Sequence, residues 1–352
     1  MSVRIIVART LVFASLMFFL LADVSSALAA GFTVSGSGIP PFDPGESRVA
    51  SGRFSGESGD LLAVLYPMAL RILSFSGKGF GLVVQTVIPE VPPDAPWCVG
   101  DFDGDGRDEI LVATRENPTL YRLNGKSLKA VPVNIDGIAE SALAADIDGS
   151  PPDELIIFRK NTPSNSETTL ILEVLRLTDP DFLTVWSDGG MTGFESPGFS
   201  PSDVLSAVGD IFNTGKKTVL VRIGPSGVSP SRYAPLEWTG DRFIRKEPFC
   251  ISGGRISTDF RKESPFAVGN LQPCEAGKKT FLMSPFAGES FETRVFSISG
   301  DNIRDHGPAG QIEPGDKWLW VRSKGKNPAI LHLYRDLSTG RNRFKAFTFS
   351  GQ

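Results

Sequence analysis

The sequence predicts an all-β protein, a β-propeller of six blades, and three observations carry that prediction. A strand–turn–strand pattern recurs along the chain. A second hairpin pattern follows each copy at a similar distance. Gly, Pro, Ser and Asp interrupt the chain too often for a long apolar period of about 3.6 residues, so helices have little room.

The first pattern is a short apolar strand, a tight polar turn holding Gly or Pro, and a second apolar strand. It reads "VASGRFSGESGDLLAVLY", "CVGDFDGDGRDEILVAT", "LAADIDGSPPDELIIFR", "AVGDIFNTGKKTVLVRI" and "AVGNLQPCEAGKKTFLM", with a weaker sixth copy in "WLWVRSKGKNPAILHLY". The turns begin at Arg53, Asp101, Asp146, Asp210, Asn270 and Arg322, a repeat of about fifty residues in the range of propeller blades. The second pattern reads "ILSFSGKGFGLVV", "LYRLNGKSLKAVPV", "LTVWSDGGM", "PLEWTGDRFIRK" and "VFSISGDNIRD". Each places a turn residue between alternating strands. Two hairpins per repeat make four antiparallel strands, which is one blade.

The last copy ends in "RFKAFTFSGQ", where the other repeats begin a fourth strand. The segment "GFTVSGSGIPPF" has no repeat of its own and is expected to supply that strand, pairing with the C-terminal blade and removing the free edge. The wide gap between Asp146 and Asp210 leaves room for a seven-bladed alternative. Residues 31–352 are read as a single propeller domain.

Residues 1–29 read as a cleaved signal peptide: Arg4 and Arg9 precede the apolar stretch Leu11–Ala22, and Ala27-Leu28-Ala29 is a small-x-small cleavage site. The apolar stretch is short of the roughly 20 residues a membrane span needs. An exported mature chain, periplasmic or extracellular, with no transmembrane segment, is the expectation. Loss of Arg4, Arg9 and Asp23 moves the formal charge from -4 to -5, which does not suit a nucleic-acid partner. Of the three cysteines, Cys250 and Cys274 are the pair expected to bridge in an oxidising compartment, and Cys98 reads as a buried thiol.

Chemistry concentrates in "DFDGDGRDE". Asp101, Asp103 and Asp105 stand at alternate positions with Glu109 at the ninth, and glycines let the backbone curl, as a loop of hard oxygen ligands for calcium requires. The Arg107 carbonyl is expected to add a ligand, while Asp108 points away. The second loop, "DIDGSPPDE", keeps Asp146, Asp148 and Glu154 but has Ser150 at position five and Pro152 at position seven, so it should bind calcium more weakly. The remaining turns lack the set.

These copies resemble the FG-GAP or VCBS-type repeat, the blade unit of integrin α-subunit propellers and many secreted bacterial proteins. The resemblance covers all six copies and is specific at Asp101–Glu109 and Asp146–Glu154; the Phe-Gly and Gly-Ala-Pro signatures are absent as clean motifs. It implies one or two structural calcium ions on the face opposite the usual ligand surface.

On that ligand surface lie the loops between second and third strands. Arg115, Arg159, Arg222 and Arg335 fall at or just beyond the ends of second strands, where repeated guanidinium groups suit a carboxylate or phosphate ligand. Solvated strand ends with apolar stems underneath are the favoured explanation, because loops are where charge normally sits. Tyr233 is placed in a long loop as a contact residue, and the tryptophans are expected to pack between blades.

Only two histidines are present, His306 in an expected loop and His332 in a strand, and no His-Glu-x-x-His or Gly-x-Ser-x-Gly motif occurs. The residues favour a non-enzymatic binding or scaffold propeller that presents its loop face to a protein or glycan. The alternatives are an enzyme acting on an anionic polysaccharide from the axial pocket, and a structural subunit of a surface assembly.

Overall fold

The computed structural model describes residues 32–56, 59–137, 139–161, 169–189, 205–209, 212, 217–223, 232–247, 249–252, 255–257, 272–276, 279–286, 292–299, 302–311, 317–321 and 329–349. Among them no helix is present, and every strand belongs to one of six small sheets. Strand β1 (Phe32–Gly38) opens the described chain and belongs to the last sheet. The first two sheets are plain four-stranded meanders. One holds β2 (Arg48–Gly52), β3 (Leu61–Tyr66), β4 (Ala69–Phe75) and β5 (Phe80–Val87). The other holds β6 (Trp97–Gly100), β7 (Glu109–Val112), β8 (Thr119–Asn124) and β9 (Ser127–Pro132).

The third sheet has β10 (Asn134–Ile135), β11 (Ala139–Ala145), β12 (Glu154–Asn161), β13 (Thr169–Thr178) and β14 (Asp181–Ser187); β10 adds a parallel edge to β14. The fourth is built from β15 (Leu205–Gly209), β16 (Thr218–Ile223), β17 (Arg232–Trp238), β18 (Phe243–Arg245), β19 (Phe249–Ser252) and β20 (Arg255–Ser257). The fifth contains β21 (Gln272–Ala276), β22 (Lys279–Phe286), β23 (Glu292–Ser299) and β24 (Asn302–Gln311). The sixth has β25 (Lys317–Val321), β26 (Ala329–Asp336) and β27 (Arg341–Phe349), with β1 antiparallel to β27.

The sheets pack face to face, as in a β-propeller, and strand periodicity explains how. Second strands carry unbroken apolar runs, such as Leu61–Leu65, Ile110–Val112, Leu155–Phe158 and Val219–Val221, because both faces are covered there. Leu62 and Val64 pack with Leu331 and Leu333 of the sixth sheet. Ala63 and Leu65, on the opposite face of the same strand, pack with Ile110 and Val112 of the second sheet. Leu111 packs with Leu155 and Ile157, and Ile156 and Phe158 pack with Val219 and Val221. A period of two thus sends alternate side chains to neighbouring sheets. Trp186, Trp238 and Phe243 meet edge to face at 4.9–6.1 Å between the third and fourth sheets, the interblade role expected of the tryptophans.

Several expected positions are corrected. The third sheet turns at Asp179-Pro180, between Thr178 and Asp181, so Leu183–Ser187 of "LTVWSDGGM" form the far part of β14 and not the arm of a separate hairpin; Asp-Pro is the stronger turn signal there. In the fifth copy the first strand is β21, whose Ala276 pairs with Lys279, so Gln272–Ala276, read as part of a turn beginning at Asn270, are strand. His306 lies within β24 and Tyr233 within β17, not in loops. The long spacing after Asp210 accommodates β18, β19 and β20. Residues 1–31, which include the expected signal peptide, lie outside the described residues, as do the side chains of Cys250 and Cys274. Cys98 is a buried free thiol whose pKa burial pushes far up, which leaves it inert at neutral pH. Among the described residues no helix is long and apolar enough to cross a membrane.

Candidate metal site

The turn between β6 and β7 gathers the carboxylates of Asp101, Asp103 and Glu109, with one oxygen of each within 4.8 Å of the others. Gly104 and Gly106, at φ of 75° and 84°, give the left-handed backbone that this curl requires. The side chains then hold their own loop. The Gly106 amide donates to Asp101 Oδ2 at 2.9 Å, and the Asp105 amide to Asp103 Oδ1 at 3.1 Å. The Phe102 amide donates to the buried Glu109 Oε2 at 3.0 Å. Asp101 Oδ1 is buried and accepts no hydrogen bond.

An orphaned buried carboxylate oxygen beside two further carboxylates fits a hard divalent cation such as calcium. When bound, the ion would supply positive charge that these three residues lack and would cross-link the end of β6 to the start of β7. Asp105, expected in the same set, stays outside the triad. Its Oδ1 accepts from the Arg107 amide at 2.8 Å, and its Oδ2 lies 3.6 Å from the Arg107 guanidinium.

The turn between β11 and β12 repeats the triad with Asp146, Asp148 and Glu154. Gly149, at φ 87°, takes the place of Gly104. Its amide donates to Asp146 Oδ1 at 2.7 Å, the Ser150 amide to Asp148 Oδ1 at 2.9 Å, and the Ile147 amide to Glu154 Oε2 at 3.0 Å. Pro152 lies where a Cβ on Gly104 would touch it at 3.6 Å, packing the second loop against the first.

Three features of these turns escaped the sequence reading. The second residue of each turn is a plug: Phe54, Phe102 and Ile147 are buried in three different interblade clusters. The eighth residue is a clasp. The Asp108 amide donates to the Arg53 carbonyl at 3.2 Å while the Arg53 amide donates to Asp108 Oδ2 at 2.6 Å. Asp153 and Asp101 repeat this pair at 2.8 and 3.0 Å. Asp108 points away from the triad, as expected, and in doing so ties its turn to the preceding blade.

The third feature is an arginine from the third strand. Arg122 Nη2 lies 3.3 Å from Asp103, with its Nε 4.0 Å from Glu109. Arg176 donates to Asp148 at 2.7 Å and also to Glu154. The recurring Arg-Leu of "LYRLN" and "VLRLT" is the signal that marks them.

Glu109 is pushed up to about 8, chiefly by burial and then by Asp103, against the Phe102 amide and Arg122. A carboxyl whose folded value exceeds its ordinary 4.5 stabilises the fold below that value and loses the contribution as pH rises toward about 8. In chelator, the melting temperature of the native chain relative to Glu109→Gln should therefore fall between about pH 4.5 and 8 and then level off. A difference that is flat across that interval would contradict the burial argument.

At the other ends of the strands lies a cavity of about 340 Å³, walled by the β5–β6 connection and by the loop from β7 to β8. Arg115, Glu116, Asn117, Glu90, Asp94 and Glu140 line it. The wall is fixed: the Val91 amide donates to the Pro67 carbonyl at 2.6 Å and the Ala113 amide to the Pro96 carbonyl at 2.8 Å. Arg48 donates to the Ala95 carbonyl and stands 5.8 Å over Trp97.

Of the other expected ligand residues, Arg159 is ion-paired with Glu173, both largely buried. Arg335 is exposed on the sixth sheet. Arg222 and Tyr233 face each other in register on β16 and β17, and their side chains lie outside the described residues. Among the described side chains of this set, Arg115 lines the cavity and Arg159 and Arg335 do not.

Small sheets packed face to face, with acidic strand–turn–strand loops at one end, define a β-propeller with turns whose carboxylate triads could hold a metal ion. Residues 101–150 match the FG-GAP-like repeat family. No curated protein matches the chain by sequence. Among solved structures, a protein of unknown function from Dyadobacter fermentans is similar at 8% identity and TM-score 0.55, over 91% of this chain and 99% of that one. The SapL1 lectin, solved with alpha methyl fucoside, is similar at 11% identity and TM-score 0.46, over 82% and 92%. The Photorhabdus luminescens Tc holotoxin pore is similar at 13% identity and TM-score 0.46 over 90% of this chain, which spans 15% of the length of that chain. At these identities the likeness is one of fold alone.

Proposed function

We propose that the protein is an exported binding propeller whose two ends divide the work: acidic turns at one end hold the blades, and the loop face at the other meets a protein or glycan partner. In this reading the six sheets are the blades of one closed ring, with β1 completing the last blade. The neighbouring first strands support it, since β2 lies beside both β6 and β25, and the series continues through β11, β15 and β21 back to β25.

The observation that carries the binding role is the loop-face cavity. Its hydrogen-bonded walls pre-organise it, which lowers the entropic cost of binding. It sets one guanidinium donor, an amide and several carboxylate acceptors around a space of about 340 Å³. Donors and acceptors interspersed in this way suit a hydroxyl-rich ligand such as a glycan better than a polyanion, which four carboxylates would repel.

The test is a glycan array probed with the calcium-supplemented mature chain and with an Arg115→Ala/Asn117→Ala variant. The expected result is selective binding that the variant weakens by about tenfold or more, equivalent to about 1.4 kcal/mol. Equal binding by both proteins would remove the cavity from the reading. Release of shortened glycan from the array would move the protein to the enzyme class.

A further inference from the structure

We infer that each acidic loop carries its own cation, and that Arg176 closes the second loop to divalent ions while Arg122 leaves the first loop open to them. This rests on the calcium-loop reading and goes beyond it, because it assigns to two residues outside the loops the choice of which loop is loaded.

The two arginines are equivalent by register. Ile110 pairs with Tyr121 and Leu155 with Leu175, so Arg122 and Arg176 each follow the partner of the residue after the closing glutamate. A planar guanidinium at that place reaches the third and ninth carboxylates together. The two loops differ in how far this has gone. Arg176 makes hydrogen bonds to both Asp148 and Glu154. Arg122 stands at 3.3 and 4.0 Å from Asp103 and Glu109, an ion-pair contact that leaves the carboxylates room.

Two further observations separate the loops. In the first, Asp101 Oδ1 is buried without a hydrogen-bond partner, an acceptor that the arginine does not satisfy. The first loop also has Asp105 at position five, where the second has neutral Ser150. A divalent ion entering either loop must displace a like-charged guanidinium or share the carboxylates with it, and repulsion at such distances is strong near a protein surface. The first loop has the unsatisfied Asp101 oxygen and the looser arginine. The second has neither.

Calorimetric titration of the full mature chain with calcium chloride, at low ionic strength, tests this. One site is expected for the native protein and two for Arg176→Gln, whereas Arg176→Lys, which keeps the charge, should stay at one. Arg122→Gln should tighten the existing site by about tenfold or more. Thermal unfolding of each variant checks that it is folded. Should Arg176→Gln not fold, the native stoichiometry and the Arg122→Gln affinity still decide. Two sites in the native protein, an Arg176→Gln variant that stays at one, or an unchanged affinity in Arg122→Gln would each overturn the inference while leaving the calcium reading in place. No site in the native protein or in any arginine variant would overturn both.

Discussion

Phe102→Ala is expected to destabilise the protein by about 3–5 kcal/mol, the cost of removing a fully buried aromatic ring. Phe102 is the second residue of the acidic turn and has no exposed surface. Its ring meets Phe182 edge to face at 5.5 Å and sits in the cluster joining Leu111 and Leu120 to Leu155 and Leu175 of the next blade. Truncation therefore opens a cavity at an interface between sheets, where neither sheet can collapse without shifting the other. Phe102→Leu keeps most of the volume and should cost far less. Urea unfolding monitored by circular dichroism measures both. A loss below about 1 kcal/mol for Phe102→Ala would contradict the interblade role.

The legible part of this fold was its punctuation. Five of the six turns begin at the residue after a first strand, because apolar runs broken by Gly, Asp and Pro state their own limits: β2, β6, β11, β15 and β25 end at Gly52, Gly100, Ala145, Gly209 and Val321. The fifth turn was displaced because "NLQPCEAGKK" holds both Pro273 and Gly277, and a sequence alone does not say which ends a strand. The acidic triads were legible for the same local reason, since three carboxylates lie within nine positions. What a local pattern hides is a partner from elsewhere in the chain. Arg122 and Arg176 come from third strands, and the clasps of Asp108 and Asp153 reach amides of the preceding blade. Arg115 and Arg159 looked alike as strand-end arginines, yet Arg115 lines a cavity and Arg159 is neutralised by Glu173.

Asp103→Ala is expected to abolish stabilisation by calcium. Asp103 lies between Asp101 and Glu109 in the triad, so its removal leaves two triad carboxylates and opens the site to water. A ligand present at one hundred times its dissociation constant stabilises a folded chain by about 2.7 kcal/mol, which for a domain of this size corresponds to a melting shift of roughly 4 °C. Asp148→Ala should leave that shift nearly intact, because Arg176 already engages the second loop. Equal losses in the two variants would place both loops on the same footing and remove the distinction drawn between them.

The same loop decides whether the two ends of the propeller have separate roles, and thermal unfolding of the mature chain in excess calcium and in chelator reads it directly. A rise in melting temperature with calcium that Asp103→Ala removes is the expected result: the acidic end is then a staple, and the opposite face is left for a partner. An identical melting temperature in calcium and chelator would contradict it and show that hydrogen bonds, clasps and arginines hold these turns without an ion.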